Sequence, residues 1–140
     1  MATILPQNED GGFLFAITDP SETLIQFGLS LSPVVDGYSN LTLYYSNYRS
    51  STGKDKVSQV AATFSVPLAV NVCAKFTIKV QGKYVTLHWD CAEYEKQKFD
   101  RVIQEMTFDP ASTIYVGQAG NIHKNKFVVS ILVLLISLVT

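Results

Sequence analysis

From Lys75 to Cys91 the chain reads KFTIKVQGKYVTLHWDC, and apolar and polar side chains alternate on either side of Gly82-Lys83. A period of two is the period of a β-strand, whose successive side chains point to opposite faces. Gly followed by an ordinary residue suits a two-residue type II′ loop, because the first loop position needs a positive φ. Such a loop sets Val80 opposite Val85, Ile78 opposite Leu87 and Phe76 opposite Trp89 on one face. Lys79 then faces Thr86, Thr77 faces His88 and Lys75 faces Asp90 on the other. A slip of one residue would turn every large apolar group to water, so the register is well specified. The stretch predicts an antiparallel hairpin with one dry face and one wet face.

The same period recurs before it. Phe13 to Thr18 (FLFAIT) is a nearly unbroken apolar run, as in a strand covered on both faces, and Asp19-Pro20-Ser21 turns the chain. Leu24 to Ser32 alternates, with Ile25, Phe27, Leu29 and Leu31 expected inward and Gln26, Gly28, Ser30 and Ser32 outward. Pro33 and Asp36-Gly37 mark the next turn, and Leu41 to Ser46 is a strand with Leu41, Leu43 and Tyr45 on one face. Asn47 to Ser58 is polar and reads as a mobile loop. Gln59 to Val66 alternates again, with Val60, Ala62, Phe64 and Val66 expected inward.

After the hairpin, AEYEKQKFDRVIQEM is the only part with helical character, and it is expected to be irregular or a single turn. Short strands are expected at Thr107 to Asp109 and Thr113 to Val116. Many short strands without an amphipathic helix predict an all-β antiparallel sandwich.

The 140 residues suffice for one domain, and a content of 47% hydrophobic and 16% charged residues predicts a folded chain. A formal net charge of −1 argues against a nucleic-acid partner. Residues 1–12 are expected to form a polar lead-in, too short and polar for the apolar core of a signal peptide, and 13–127 to form the domain. The end, 128–140, is almost wholly apolar and admits three readings: a buried last strand, which is preferred, a misread terminus, or a membrane-directed tail through 127–139. The apolar run is shorter than the ~20 residues that a membrane-spanning helix needs.

No constellation for catalysis is visible, and no cofactor is expected. His88 and Asp90 share a strand face, but alternation turns Cys91 away, leaving two ligands where zinc takes three or four. His123 reads as a surface imidazole, and Glu93 and Glu95 as carboxylates of a solvated turn rather than an acid pair. Asn40-Leu41-Thr42 is an N-glycosylation sequon at a turn-to-strand boundary. Three small basic clusters, Lys54 with Lys56, Lys96 and Lys98 with Arg101, and Lys124 with Lys126, could meet a sulfated polysaccharide if one rim gathered them. The plainer reading is that they solubilise loops. In the hairpin register Cys73 and Cys91 fall on opposite sides, so no bridge between them is expected.

Several segments together resemble a known module. GFLFAITDPSETLIQFGLSLSPVVDG, LTLYY, AATFSVP, KFTIKVQGKYVTLHWDC and IYVGQAG followed by KF occur in the order and spacing of the thrombospondin N-terminal-like module, over roughly Gly12 to Phe127. That module is a laminin-G-like (concanavalin-like) jelly-roll sandwich, and the resemblance is to the version at the amino end of the multiplexin collagens, types XV and XVIII. It implies a secreted, non-enzymatic module of the extracellular matrix and basement membrane with a structural or adhesive role. Its implied partners are matrix or cell-surface proteins and heparan sulfate; members of the wider family bind heparin-like glycans or calcium. A lectin-like glycan-binding domain of the same fold is the alternative. The chain departs from the pattern in three ways. No strand is expected ahead of Phe13, Cys73 stands where relatives carry Trp, and the relatives' partner for the cysteine at Cys91, beyond their last strand, is lacking. These departures imply an incomplete copy, short of N-terminal edge strands and poorly soluble alone.

Overall fold

The computed structural model describes residues 1–21, 24–46, 59–81, 84–90, 92–98, 111–117 and 129–134. Their elements are all strands: β1 (Ala2–Pro6), β2 (Gly12–Thr18), β3 (Ile25–Leu31), β4 (Tyr38–Tyr45), β5 (Gln59–Pro67), β6 (Ala74–Gln81), β7 (Tyr84–Trp89), β8 (Ala92–Lys98), β9 (Thr113–Val116) and β10 (Val129–Leu134). They form two five-stranded antiparallel sheets, ordered β10-β1-β6-β7-β8 and β5-β4-β3-β2-β9. The expected all-β sandwich is the observed architecture. Among the described residues no helix is long and apolar enough to cross a membrane.

The hairpin takes the register that its alternation dictates: Phe76 lies opposite Trp89, Ile78 opposite Leu87 and Val80 opposite Val85. Val85 and Leu87 are fully buried, and the rings of Phe76 and Trp89 stack at 5.5 Å with 10° between their planes. Stacking of this kind adds ~1 kcal/mol to the burial of the two rings. From the other sheet, Phe27, Leu29, Leu31, Leu41, Leu43, Phe64 and Val66 complete one continuous core. The β3–β4 connection closes on Asp36-Gly37, both at positive φ (52° and 80°), between the paired Val35 and Tyr38. That is the backbone of a type I′ turn, for which Asp-Gly is a favoured dipeptide.

Bulges overturn three expected side-chain directions. Between Leu43 and Tyr44 the β4–β5 register shifts, so that Ala62 pairs with Leu43 but Val60 with Tyr44. Val60 consequently faces water, 56% exposed. A second shift, between Ile17 and Thr18, sets Ile25 opposite Thr18. Ile25 packs with Phe13 and Ala16 in a cluster separate from the main core, under Tyr44. Gln26, expected outside, is fully buried; its Nε2 donates to Ser112 Oγ at 2.6 Å and its carbonyl accepts from Ser46 N at 2.9 Å. An extra residue in one strand reverses the alternation beyond it.

Two expected non-strands are strands. Residues 1–12 contain β1, which lies between β6 and β10 and sends Ala2 and Ile4 into the core. A strand therefore does precede Phe13. β1 pairs with β6 only from Ala2 to Ile4, so the missing N–H of Pro6 falls beyond that ladder. Gly11 follows at φ 75°, and a Cβ there would stand 2.4 Å from the Leu31 carbonyl oxygen. Within the apolar end, Val129–Leu134 forms β10, antiparallel to β1. Residues 92–98, expected to be irregular, form β8 against β7. Six of its seven residues are exposed, which is why no apolar stripe announced it. The expected Asn47–Ser58 loop and the Thr107–Asp109 strand lie outside the described residues.

β8 and β5 are the neighbouring edges of the two sheets, and one side chain joins them. Gln97, opposite buried Val85, turns its carboxamide onto the backbone of Thr63 in β5. Its Oε1 accepts from Thr63 N at 3.1 Å and its Nε2 donates to Thr63 O. The amide thus occupies a donor and an acceptor that an open strand edge would otherwise present to another chain.

Candidate functional site: the outer face of the first sheet

Alternation along β6, β7 and β8 divides their side chains between the core and an outer face. Cross-strand pairing arranges that face in rows: Gln81, Tyr84 and Lys98; Lys79, Thr86 and Lys96; Thr77, His88 and Glu93. Lys75 extends it along β6, on the side opposite buried Ala74 and Phe76. Lys75, Lys79, Lys96 and Lys98 are all exposed. Adjacent strands lie ~4.8 Å apart, so Lys79 and Lys96, one strand to either side of Thr86, stand ~10 Å apart at the backbone. The Lys96 ammonium sits 4.4 Å from the centre of the Tyr84 ring, a cation–π contact that holds the cation over the sheet. Glu93 supplies a carboxylate at one end of this face, where it lies opposite His88 in the strand register. Among the described residues the face thus presents four lysines and the hydroxyls of Thr77, Tyr84 and Thr86 around a single carboxylate, that of Glu93.

Of the basic residues singled out in the sequence, Lys96 and Lys98 belong to this face. Lys54, Lys56, Arg101, Lys124 and Lys126 lie outside the described residues, as do His123 and Cys91. Lys75 and Lys79 were not among those clusters; the signal was their place on the wet face of the hairpin. The expected pairing of Lys75 with Asp90 is a backbone contact, Asp90 N donating to Lys75 O at 3.0 Å. Asp90, at φ 51°, leaves the strand at this point, and no ion pair joins the two side chains among the described residues. Glu93 and Glu95 lie on β8 rather than in a turn; the bulge between Leu87 and His88 sets Glu93 opposite His88 and Glu95 opposite Leu87. Glu95 accepts a hydrogen bond from Gln97 Nε2 at 3.2 Å. Among the described residues no three His, Cys, Asp or Glu side chains are grouped as a metal site would require.

Cys73 is a free, exposed thiol. It lines an open cavity of about 240 Å³ at one end of the sandwich, with Leu68, Val72, Ala74 and Trp89. Asn40 is exposed on β4, opposite Ser65 of β5, and its backbone N–H donates to Ser32 Oγ at 2.8 Å.

No protein-family model matches the chain. Among curated proteins it is similar to the human collagen alpha-1(XVIII) chain, with 32% identity over 124 residues. That match covers 89% of this chain and so takes in strands of both sheets. The chain spans 7% of the length of that relative.

Proposed function

The chain is a homologue of a segment of a multiplexin collagen, and on that premise we propose that it is a non-enzymatic module of the extracellular matrix with a structural and adhesive role. It corresponds in this reading to the thrombospondin N-terminal-like domain of type XV and XVIII collagens, and the outer face of β6, β7 and β8 is its contact surface. One observation carries the proposal: the similarity to a collagen chain extends over nearly the whole sandwich. The exposed polar face agrees with it, since adhesion asks for a broad accessible surface rather than a cleft. The test is solid-phase binding of the purified chain to basement-membrane preparations. Saturable binding weakened at least fivefold by joint replacement of Lys75, Lys79, Lys96 and Lys98 with Gln supports the proposal; binding that ignores these changes opposes it.

A second reading is favoured by the four lysines themselves. They give the first sheet a cationic face on a chain whose formal net charge is only −1, and a sulfated glycan is a natural complement. Elution from immobilised heparin above physiological salt, and well below it for the four-lysine variant, would favour a glycan partner over a protein one. Recognition of a neutral sugar, insensitive to salt, would point instead to a lectin.

A further inference from the structure

We propose that Asn40 carries an N-linked oligosaccharide that covers the outer face of the second sheet at β4 and β5. The inference rests on the extracellular reading above, because the modification requires passage through a secretory compartment.

Asn40-Leu41-Thr42 is the only Asn-X-Ser/Thr tripeptide in the 140 residues. Strand alternation in β4 places Tyr38, Asn40 and Thr42 on the outer face, while Leu41 between them is fully buried. Asn40 is exposed, and its carboxamide makes no hydrogen bond among the described residues. Its cross-strand neighbours among the described residues are small and uncharged. Ser65 lies opposite Asn40, and Thr42 is flanked by Ser30 on β3 and Thr63 on β5. Hydroxyl groups therefore form the floor beside Asn40 among the described residues. Tyr38, 53% exposed and two residues away on the same face, offers an aromatic plane to the first sugar.

The bond that forms joins Asn40 Nδ2 to the anomeric carbon of an oligosaccharide carried on a polyprenyl diphosphate. The bond between that carbon and the diphosphate oxygen breaks, the lipid diphosphate leaves with the electron pair, and Nδ2 loses one proton to solvent. β4 lies between β3 and β5, and Leu41 is locked in the core, so transfer precedes closure of the second sheet. Once attached, the glycan occupies the outer face at β4 and β5, beside the part of that face where Phe13, Ala16 and Ile25 are already buried, while the lysine-bearing face of the first sheet remains open. The module then has one shielded side and one contact side.

The test is expression of the whole chain behind a cleavable secretory leader in a eukaryotic cell, followed by intact-mass measurement before and after peptide-N-glycosidase treatment. The expected result is loss of one glycan mass, with Asn40 converted to Asp in the corresponding peptide. Asn40→Gln and Thr42→Ala should each abolish the shift, and Thr42→Ser should retain it. The serine variant separates loss of the sequon from loss of folding. Secreted protein with the mass of the bare chain, or a glycan at another residue, overturns the proposal. A glycan on the leader-driven chain, combined with a bare chain in the native source, would sink the extracellular reading and leave the site intact.

Discussion

Replacing Gln97 tests whether one amide holds the neighbouring edges of the two sheets together. In Gln97→Ala both hydrogen bonds to Thr63 disappear. A net protein hydrogen bond contributes ~0.5–1.5 kcal/mol, giving roughly 1–3 kcal/mol for the pair. Thr63 is exposed and Gln97 half-buried, so water can satisfy the freed N–H and C=O and the loss belongs in the lower part of that range, ~1–2 kcal/mol. With an unfolding entropy of ~2.1 cal/mol/K per residue, this lowers Tm by roughly 3–7 °C for a chain of this length. Urea unfolding followed by tryptophan fluorescence is the assay, since Trp89 lies buried on β7 beside β8. The midpoint should fall with little change in slope. Gln97→Glu should lose at least as much at neutral pH, because a carboxylate keeps the acceptor for Thr63 N but sets negative charge against Thr63 O. Both variants should also self-associate more readily, having uncovered the edge of β5. Unchanged stability in both, within ~0.3 kcal/mol, would refute the clamp.

Two further substitutions probe the sandwich and its joints. Leu87→Ala empties a fully buried position opposite Ile78 and should cost ~2–5 kcal/mol in urea unfolding. Gly11→Ala places a Cβ against the Leu31 carbonyl at a positive φ and should cost ~1–3 kcal/mol, with a lowered thermal midpoint as the readout.

The parts of the fold legible in the sequence share one property: large side chains at a period of two, ended by a turn with its own chemistry. The hairpin of β6 and β7 is the clearest case, with its register readable residue by residue. Ile25, Gln26 and Val60 were misplaced because a bulge adds one residue without a compositional mark and reverses every direction beyond it. β8 carries no such signature because it borders solvent and buries almost nothing; opposite the buried Val85, Leu87 and Trp89 it sets Gln97, Glu95 and the small Ala92. β1 went unread because Ala2, Ile4 and Pro6 make too short a run to stand out beside the polar residues that follow. The proposed contact surface was half legible for the same reason. Lys75 and Lys79 were visible on the wet face of the hairpin, but they join Lys96 and Lys98 only once β8 is known to be a strand.

The proposed contact surface is the outer face of the first sheet. The direct measurement is an amide and side-chain NMR titration of the isotopically labelled chain with a matrix-derived ligand, a sulfated oligosaccharide first. The expected shifts are at Lys79, Tyr84, Thr86, Lys96 and Lys98, fading as salt is raised. Shifts confined to Thr42, Thr63 and Ser65 on the opposite sheet would contradict it.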